Sequence, residues 1–235
     1  MRGAVVARGG ARAPWGGPAA TGVTLPEAAG LLLALVARLV TGAQGHWQGA
    51  PPKAEQRIHF ANHQSHFDWV LIWAALPGDL RAITRPITAR DYWTSTPLKH
   101  WITREIFNAV YLSRPSPKGD ATLDSVGEDP LEPLLDALRN GDSLAIFPEG
   151  TRGNQGEPAP FKAGLYHLAE AFPEVQLLPT WIDTVQRVMP KGEVVPVPIL
   201  CSVNFGAPLA LSPGEDNRVF LDRARAAVVA LRPAR

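Results

Sequence analysis

Cysteine is almost absent from this 235-residue chain: Cys201 stands alone in the apolar run VPILCSVNF. A disulfide framework is therefore excluded, and the lone thiol reads as a small buried hydrophobe in a reducing compartment. An excess of charge of one sign is also lacking. With 23 Lys and Arg against 22 Asp and Glu, no net field favours nucleic acid, and an anionic ligand must be held by a local cluster. No apolar run reaches the roughly 20 residues that a bilayer span requires; the stretch from Ala28 to Ala37 is about half that, and Arg38 follows it. There is no internal repeat, which removes solenoids and propellers. What the chain does have is 46% hydrophobic residues, enough at this length for one globular core with a small N-terminal appendage.

Residues 1–24 are rich in Gly, Ala, Pro and Arg and lack acids, the composition of a flexible arm. Residues 25–46 hold a helix punctuated by Pro26 at its start, Glu27 in its first turn and Gly42 at its end. It is either a core helix or one lying in a membrane interface with Arg38 snorkelling. From residue 47 to 235 short apolar runs alternate with helical segments. RIHFA, LRAIT, NAVYLS, SLAIF, QLLPTWI and LCSVNF read as strands. FDWVLIWAAL, TPLKHWITREIF, PLEPLLDALRNG, KAGLYHLAEAF and the stretch from Asp216 to Leu231 read as helices. This alternation predicts an α/β fold, a largely parallel or mixed sheet flanked by helices on both faces. Ligands in such sheets bind where strands hand over to helices. The informative loops are therefore those around His63, Arg114 and Glu149.

The first, ANHQSHFDWV, places two histidines and an aspartate within six positions. Ser65 and Asp68 have the spacing of a capping box, which accounts for both as helix-start residues. His63 and Asp68 also suit a base and its orienting carboxylate: a sharp turn brings them together and leaves one imidazole nitrogen for a substrate hydroxyl. A metal site built on His63, His66 and Asp68 is the competing reading. It ranks lower because the familiar helical pair of histidines is spaced by four rather than three, and His46, His59, His100 and His167 add no ligand cluster. The second loop, LAIFPEGTRG, ends a buried strand at Pro148, turns at Gly150 and presents Glu149, Thr151 and Arg152. Arg152 suits a phosphate, with turn N–H groups assisting; the alternative is a plain surface ion pair with Glu149.

Taken in this order, the two loops resemble signatures of the glycerolipid acyltransferases. NHQSHFD follows their N-H-x-S-x-x-D pattern, and FPEGTR their third block, with FKAG after it at Phe161–Gly164. NAVYLSR, ending in Arg114, looks like their second block, and LLPTWI, Leu177–Ile182, like their fourth. The chain is similar to bacterial 1-acylglycerol-3-phosphate acyltransferases over roughly Gln56 to Phe205. Two positions depart from that branch: Ser113 stands before Arg114 where an acid is usual, and Thr180-Trp181 replaces an aliphatic end to the fourth block. The resemblance implies acyl transfer from a coenzyme A or acyl-carrier-protein thioester to a lysophospholipid, with no cofactor, no metal and no nucleic acid. It makes His63 the base and Asp68 its partner. Glu149 contacts the acceptor glycerol and Arg152 its phosphate, within the loop that includes Gly150 and Thr151. Arg114 and Arg90 add positive charge, and Asn62 and Ser65 support the turn. The expected location is the inner face of a bacterial cytoplasmic membrane, peripheral or monotopic.

Overall fold

A computed structural model of the chain describes residues 24–41, 44–49, 51–65, 68–89, 96–112, 131–153, 157–184 and 201–234. Helix α1 (Leu25–Thr41) leads into β1 (Gln44–Trp47), then β2 (Arg57–Ala61), α2 (Asp68–Ala75), α3 (Gly78–Ile83) and β3 (Thr84–Ala89). Next come α4 (Pro97–Trp101), running on as a wider turn of helix to Ile106, β4 (Val110–Leu112), α5 (Glu132–Arg139) and β5 (Ser143–Ile146). The chain closes with α6 (Gly164–Ala171), β6 (Gln176–Thr184), β7 (Cys201–Phe205) and α7 (Asn217–Ala230).

The strands form one seven-stranded sheet in the order β1-β7-β6-β2-β5-β3-β4. Every neighbouring pair is parallel except β6 and β7, so the sheet is mixed, as the alternation of elements predicted. Its faces explain why β2 has no exposed residue. Ile58 and Phe60 face a layer built by Leu134 and Leu138 of α5, Leu165 and Leu168 of α6, and Phe220 and Ala224 of α7. Ala61 faces Leu71, Ile72 and Leu76 from α2 and its end, with Leu80 of α3. Full burial of side chains the size of Ile58 and Phe60 contributes roughly 1.5–3 kcal/mol each. A strand covered on both faces reads as an apolar run without alternation.

Two parts of the local reading change. LRAIT is not a strand: Leu80 to Ile83 complete α3, and the strand begins at Thr84. Pro77 supplies the helix entry and Asp79 its first-turn acid, while Leu80 and Ile83, three apart, both join the apolar cluster that holds Leu71, Ile72 and Leu76; helical spacing wins over apparent alternation. The edge strand β1 gave no sequence signal, since QGHW has one large apolar residue, Trp47, and is too short to show a period, although it alternates between exposed and half-buried positions. Its pairing with β7 crosses the expected boundary at residue 47 and ties the N-terminal segment to the sheet. The polar stretch 116–129 and residues 1–23 lie outside the described residues.

α1 itself is divided lengthwise. Ala34 is buried and Leu33 half-buried against Trp69, Trp73 and Phe107, and a Cβ on Gly30 would come 3.3 Å from the Ile106 side chain. The opposite side presents Leu31, Leu32, Leu35 and Val36 to the outside, all exposed. The helix thus has one core face and one exposed apolar face.

Candidate active site

β2 and β5 are parallel neighbours, and their C-terminal ends deliver both loops to one edge of the sheet. Past Ala61 the strand gives way to Asn62, whose side-chain amide donates to the Ile182 carbonyl at 3.1 Å and accepts the Ile182 N–H at 2.8 Å. This two-way clasp replaces a pair of ladder bonds and anchors the chain to β6 where β2 ends.

His63 comes next. Its Nδ1 lies 3.0 Å from Oδ2 of Asp68, and its ring stacks on Phe147 with centroids 4.2 Å apart. An ionised carboxylate can only accept, so this contact assigns the proton to Nδ1 and leaves Nε2 with a lone pair. The imidazole is 18% exposed and its carboxylate partner 1%, the combination needed for a base that meets a ligand and an orienting group that does not. Asp68 Oδ2 also accepts the N–H groups of Gln64 at 2.6 Å and Ser65 at 2.7 Å. The carboxylate half of the capping box is thus formed, and the same oxygen serves His63. Asp68 opens α2, where the helix dipole favours an anion. Its other oxygen, Oδ1, is buried and has no hydrogen-bond partner among the described residues.

The second loop holds the main chain of His63. Glu149, 3% exposed, accepts the His63 N–H on Oε1 at 2.8 Å and the Ala159 N–H on Oε2 at 2.8 Å. Gly153 donates its N–H to the His63 carbonyl at 2.9 Å. The Glu149 carboxylate is turned inward onto backbone N–H groups. Phe147 to Gly150 make a tight turn, closed by the Gly150 N–H on the Phe147 carbonyl at 3.0 Å. Gly150 has φ +69°, which favours glycine, and the Lys162 side chain lies over it, its Nζ 2.6 Å from where a Cβ would stand.

With its acid buried, the loop presents cations. Arg152 and Lys162 are both exposed, and among the described residues no carboxylate pairs with either. Lys162 is the functional candidate that sequence reasoning missed. FKAG marks it as part of a block, but only the glycine-allowed turn shows that its side chain runs back over Gly150. Thr151 is exposed beside Arg152. Of the backbone N–H groups around the site, those of Gly150, Gln64 and Ser65 are already engaged within the fold. Those of Thr151 and Arg152 carry no hydrogen bond among the described residues. Arg114, Arg90 and His66 lie outside the described residues. Among the described residues no three His, Cys, Asp or Glu side chains converge as a metal-ligand set. Burial, then the charges of Asp183 and Asp68, pushes the Cys201 thiol up to about 11, which fits a packing residue rather than a nucleophile.

The Acyltransferase family model matches residues 47–196 of this chain. The chain is 31% identical over 144 residues to the 1-acyl-sn-glycerol-3-phosphate acyltransferase alpha of Homo sapiens, covering 60% of itself and 46% of that protein. The same-named protein of Mus musculus is 31% identical over 166 residues, 69% of this chain and 53% of its own. The chain spans about half the length of the curated relatives it matches. The crystal structure of the 1-acyl-sn-glycerophosphate (LPA) acyltransferase PlsC from Thermotoga maritima has the same fold, with a TM-score of 0.60 at 22% identity, covering 88% of this chain and 81% of that one.

Proposed function

Since this chain belongs to the acyltransferase family, we propose that it moves a fatty acyl group from a coenzyme A or acyl-carrier-protein thioester to the free hydroxyl of 1-acyl-sn-glycerol 3-phosphate, forming phosphatidic acid. The observation that carries this reading is the 3.0 Å contact of Asp68 Oδ2 with His63 Nδ1, which leaves Nε2 as the open base.

In the proposed reaction the acceptor hydroxyl gives its proton to His63 Nε2 as its oxygen attacks the thioester carbonyl. The imidazolium that forms is stabilised by Asp68, which is already organised by two backbone donors. The N–H groups of Thr151 and Arg152 serve the tetrahedral oxyanion, with a well-placed donor worth on the order of 3 kcal/mol. Collapse forms the ester and breaks the C–S bond, and the departing sulfur takes the proton back from His63. Neither a covalent enzyme intermediate nor a cofactor is required. Arg152 and Lys162 hold the acceptor's phosphate, a role suited to cations with no competing carboxylate.

The acceptor and the acyl chains are lipidic, and the uncovered leucines of α1 suit the boundary of a bilayer. Among the described residues no helix is long and apolar enough to cross a membrane. The proposed location is the inner face of a bacterial cytoplasmic membrane, with the enzyme monotopic or peripheral and its exposed leucines supporting that reading.

The test is thiol release, without added metal, from acyl-CoA and acyl-carrier-protein donors against a panel of acceptors: lysophosphatidate, lysophospholipids, lyso-ornithine lipid and uncharged monoacylglycerol. Lysophosphatidate is expected to give the highest kcat/KM. Preference for another head group would keep the chemistry and replace the substrate.

A further inference from the structure

We infer that Glu149 is a positioning residue for His63, holding the main chain of the base rather than the acceptor; this rests on His63 acting as the base. A carboxylate at 3% exposure must be compensated, and both of its oxygens are matched by N–H donors at 2.8 Å, one of them from His63 itself, 86 residues away in sequence. Bonds of this charge-assisted kind are stronger than neutral ones. The far side of the same residue is held by the Gly153 N–H on the His63 carbonyl at 2.9 Å. The second loop thus grips His63 through both of its peptide groups, while Asp68 and Phe147 grip its ring. This closes a mechanical gap. Residues 62–65 belong to neither strand nor helix, so without Glu149 the aim of the ring rests on the Asp68 contact, ring packing and the single Gly153 bond.

Glu149→Gln separates positioning from acceptor binding. A glutamine has one acceptor oxygen for two N–H donors, and its NH2 group must face the other donor. Positioning predicts a kcat loss on the order of a hundredfold, the cost of a small misplacement of a reacting group, with acceptor KM within about threefold and the same loss on phosphorylated and uncharged acceptors. It also predicts faster modification of His63 by diethyl pyrocarbonate in the resting enzyme. That readout needs no turnover: if His63→Ala stays active, the base assignment fails while the labelling still reports the grip. A raised acceptor KM with unchanged kcat and unchanged labelling would overturn the inference in favour of direct acceptor contact. Should Glu149→Gln not fold, Gly153→Ala decides. Its Cβ would sit 3.1 Å from Glu149 Oε2 and 3.7 Å from the His63 carbonyl oxygen, so a smaller kcat loss with faster labelling is expected. Wild-type kcat and labelling in that variant would overturn the inference.

Discussion

Asp68 Oδ2 meets His63 Nδ1 at 3.0 Å while accepting two backbone N–H groups, so one oxygen of a buried carboxylate sets both the start of α2 and the tautomer of the imidazole. Asp68→Asn removes the charge and keeps the geometry: an asparagine oxygen in the place of Oδ2 can still accept the Nδ1, Gln64 and Ser65 N–H groups, with its NH2 group falling at the Oδ1 position. The ring proton then stays on Nδ1 while the imidazolium loses its counter-charge, so turnover should fall by roughly tenfold or more, the difference between a charged and a neutral acceptor, with acceptor KM little changed. Nitrogen-15 spectra of the His63 ring should show the proton still on Nδ1. An unchanged rate would remove the Asp68 charge from the mechanism.

Arg152 and Lys162 are predicted to share the acceptor phosphate. Arg152→Lys and Lys162→Ala should each raise KM for lysophosphatidate by about ten- to a hundredfold, the equivalent of one charge-assisted hydrogen bond. Activity toward uncharged monoacylglycerol should hardly change. Equal losses on both acceptors would assign these side chains to the shape of the loop.

His59 gives a pH prediction for stability. Complete burial, assisted by the Arg57 charge, lowers its pKa to about 3 from an ordinary 6.5, and neither ring nitrogen has a hydrogen-bond partner among the described residues. Below pH 6.5 the unfolded chain takes up a proton that the folded one refuses, so stability falls as pH drops from 6.5 toward 3. At pH 5 the loss from this residue is about 2 kcal/mol. Urea unfolding of His59→Leu at pH 7.5 and pH 5 should show that part of the acid loss removed. The same pH dependence in both proteins would refute neutral burial of His59.

The uncovered face of α1 is predicted to carry vesicle binding. Changing Leu31, Leu32 and Leu35 to serine leaves the core face at Gly30, Leu33 and Ala34 intact, and should weaken sedimentation with anionic liposomes by roughly tenfold or more for each leucine. Turnover of a water-soluble short-chain acceptor should stay near wild type. Undiminished sedimentation would move the membrane contact elsewhere.

Much of the sheet was legible because its strands are bounded by glycine, proline and helix-start residues, and because burial on both faces leaves continuous apolar runs such as SLAIF. The contact of His63 with Asp68 was also legible, since a sharp turn between strand and helix has few ways to place a side chain five residues on. What escaped depended on distant partners. β1 is a strand only because β7 offers it an edge, and α3 is a helix whose Leu80 and Ile83 join the apolar cluster on that face of the sheet. The inward turn of Glu149 needs donors at His63 and Ala159, and the course of Lys162 needs the bare Cα of Gly150. None of these pairings leaves a local mark in the sequence.

The central claim, that His63 is the base for acyl transfer, is tested most directly by single-turnover thiol release with saturating lysophosphatidate, comparing wild type with His63→Ala. Replacing a positioned base predicts a loss of roughly 10²- to 10⁴-fold in the transfer step, with binding of both substrates and the circular dichroism spectrum preserved. Near wild-type transfer by a correctly folded His63→Ala enzyme would contradict the account.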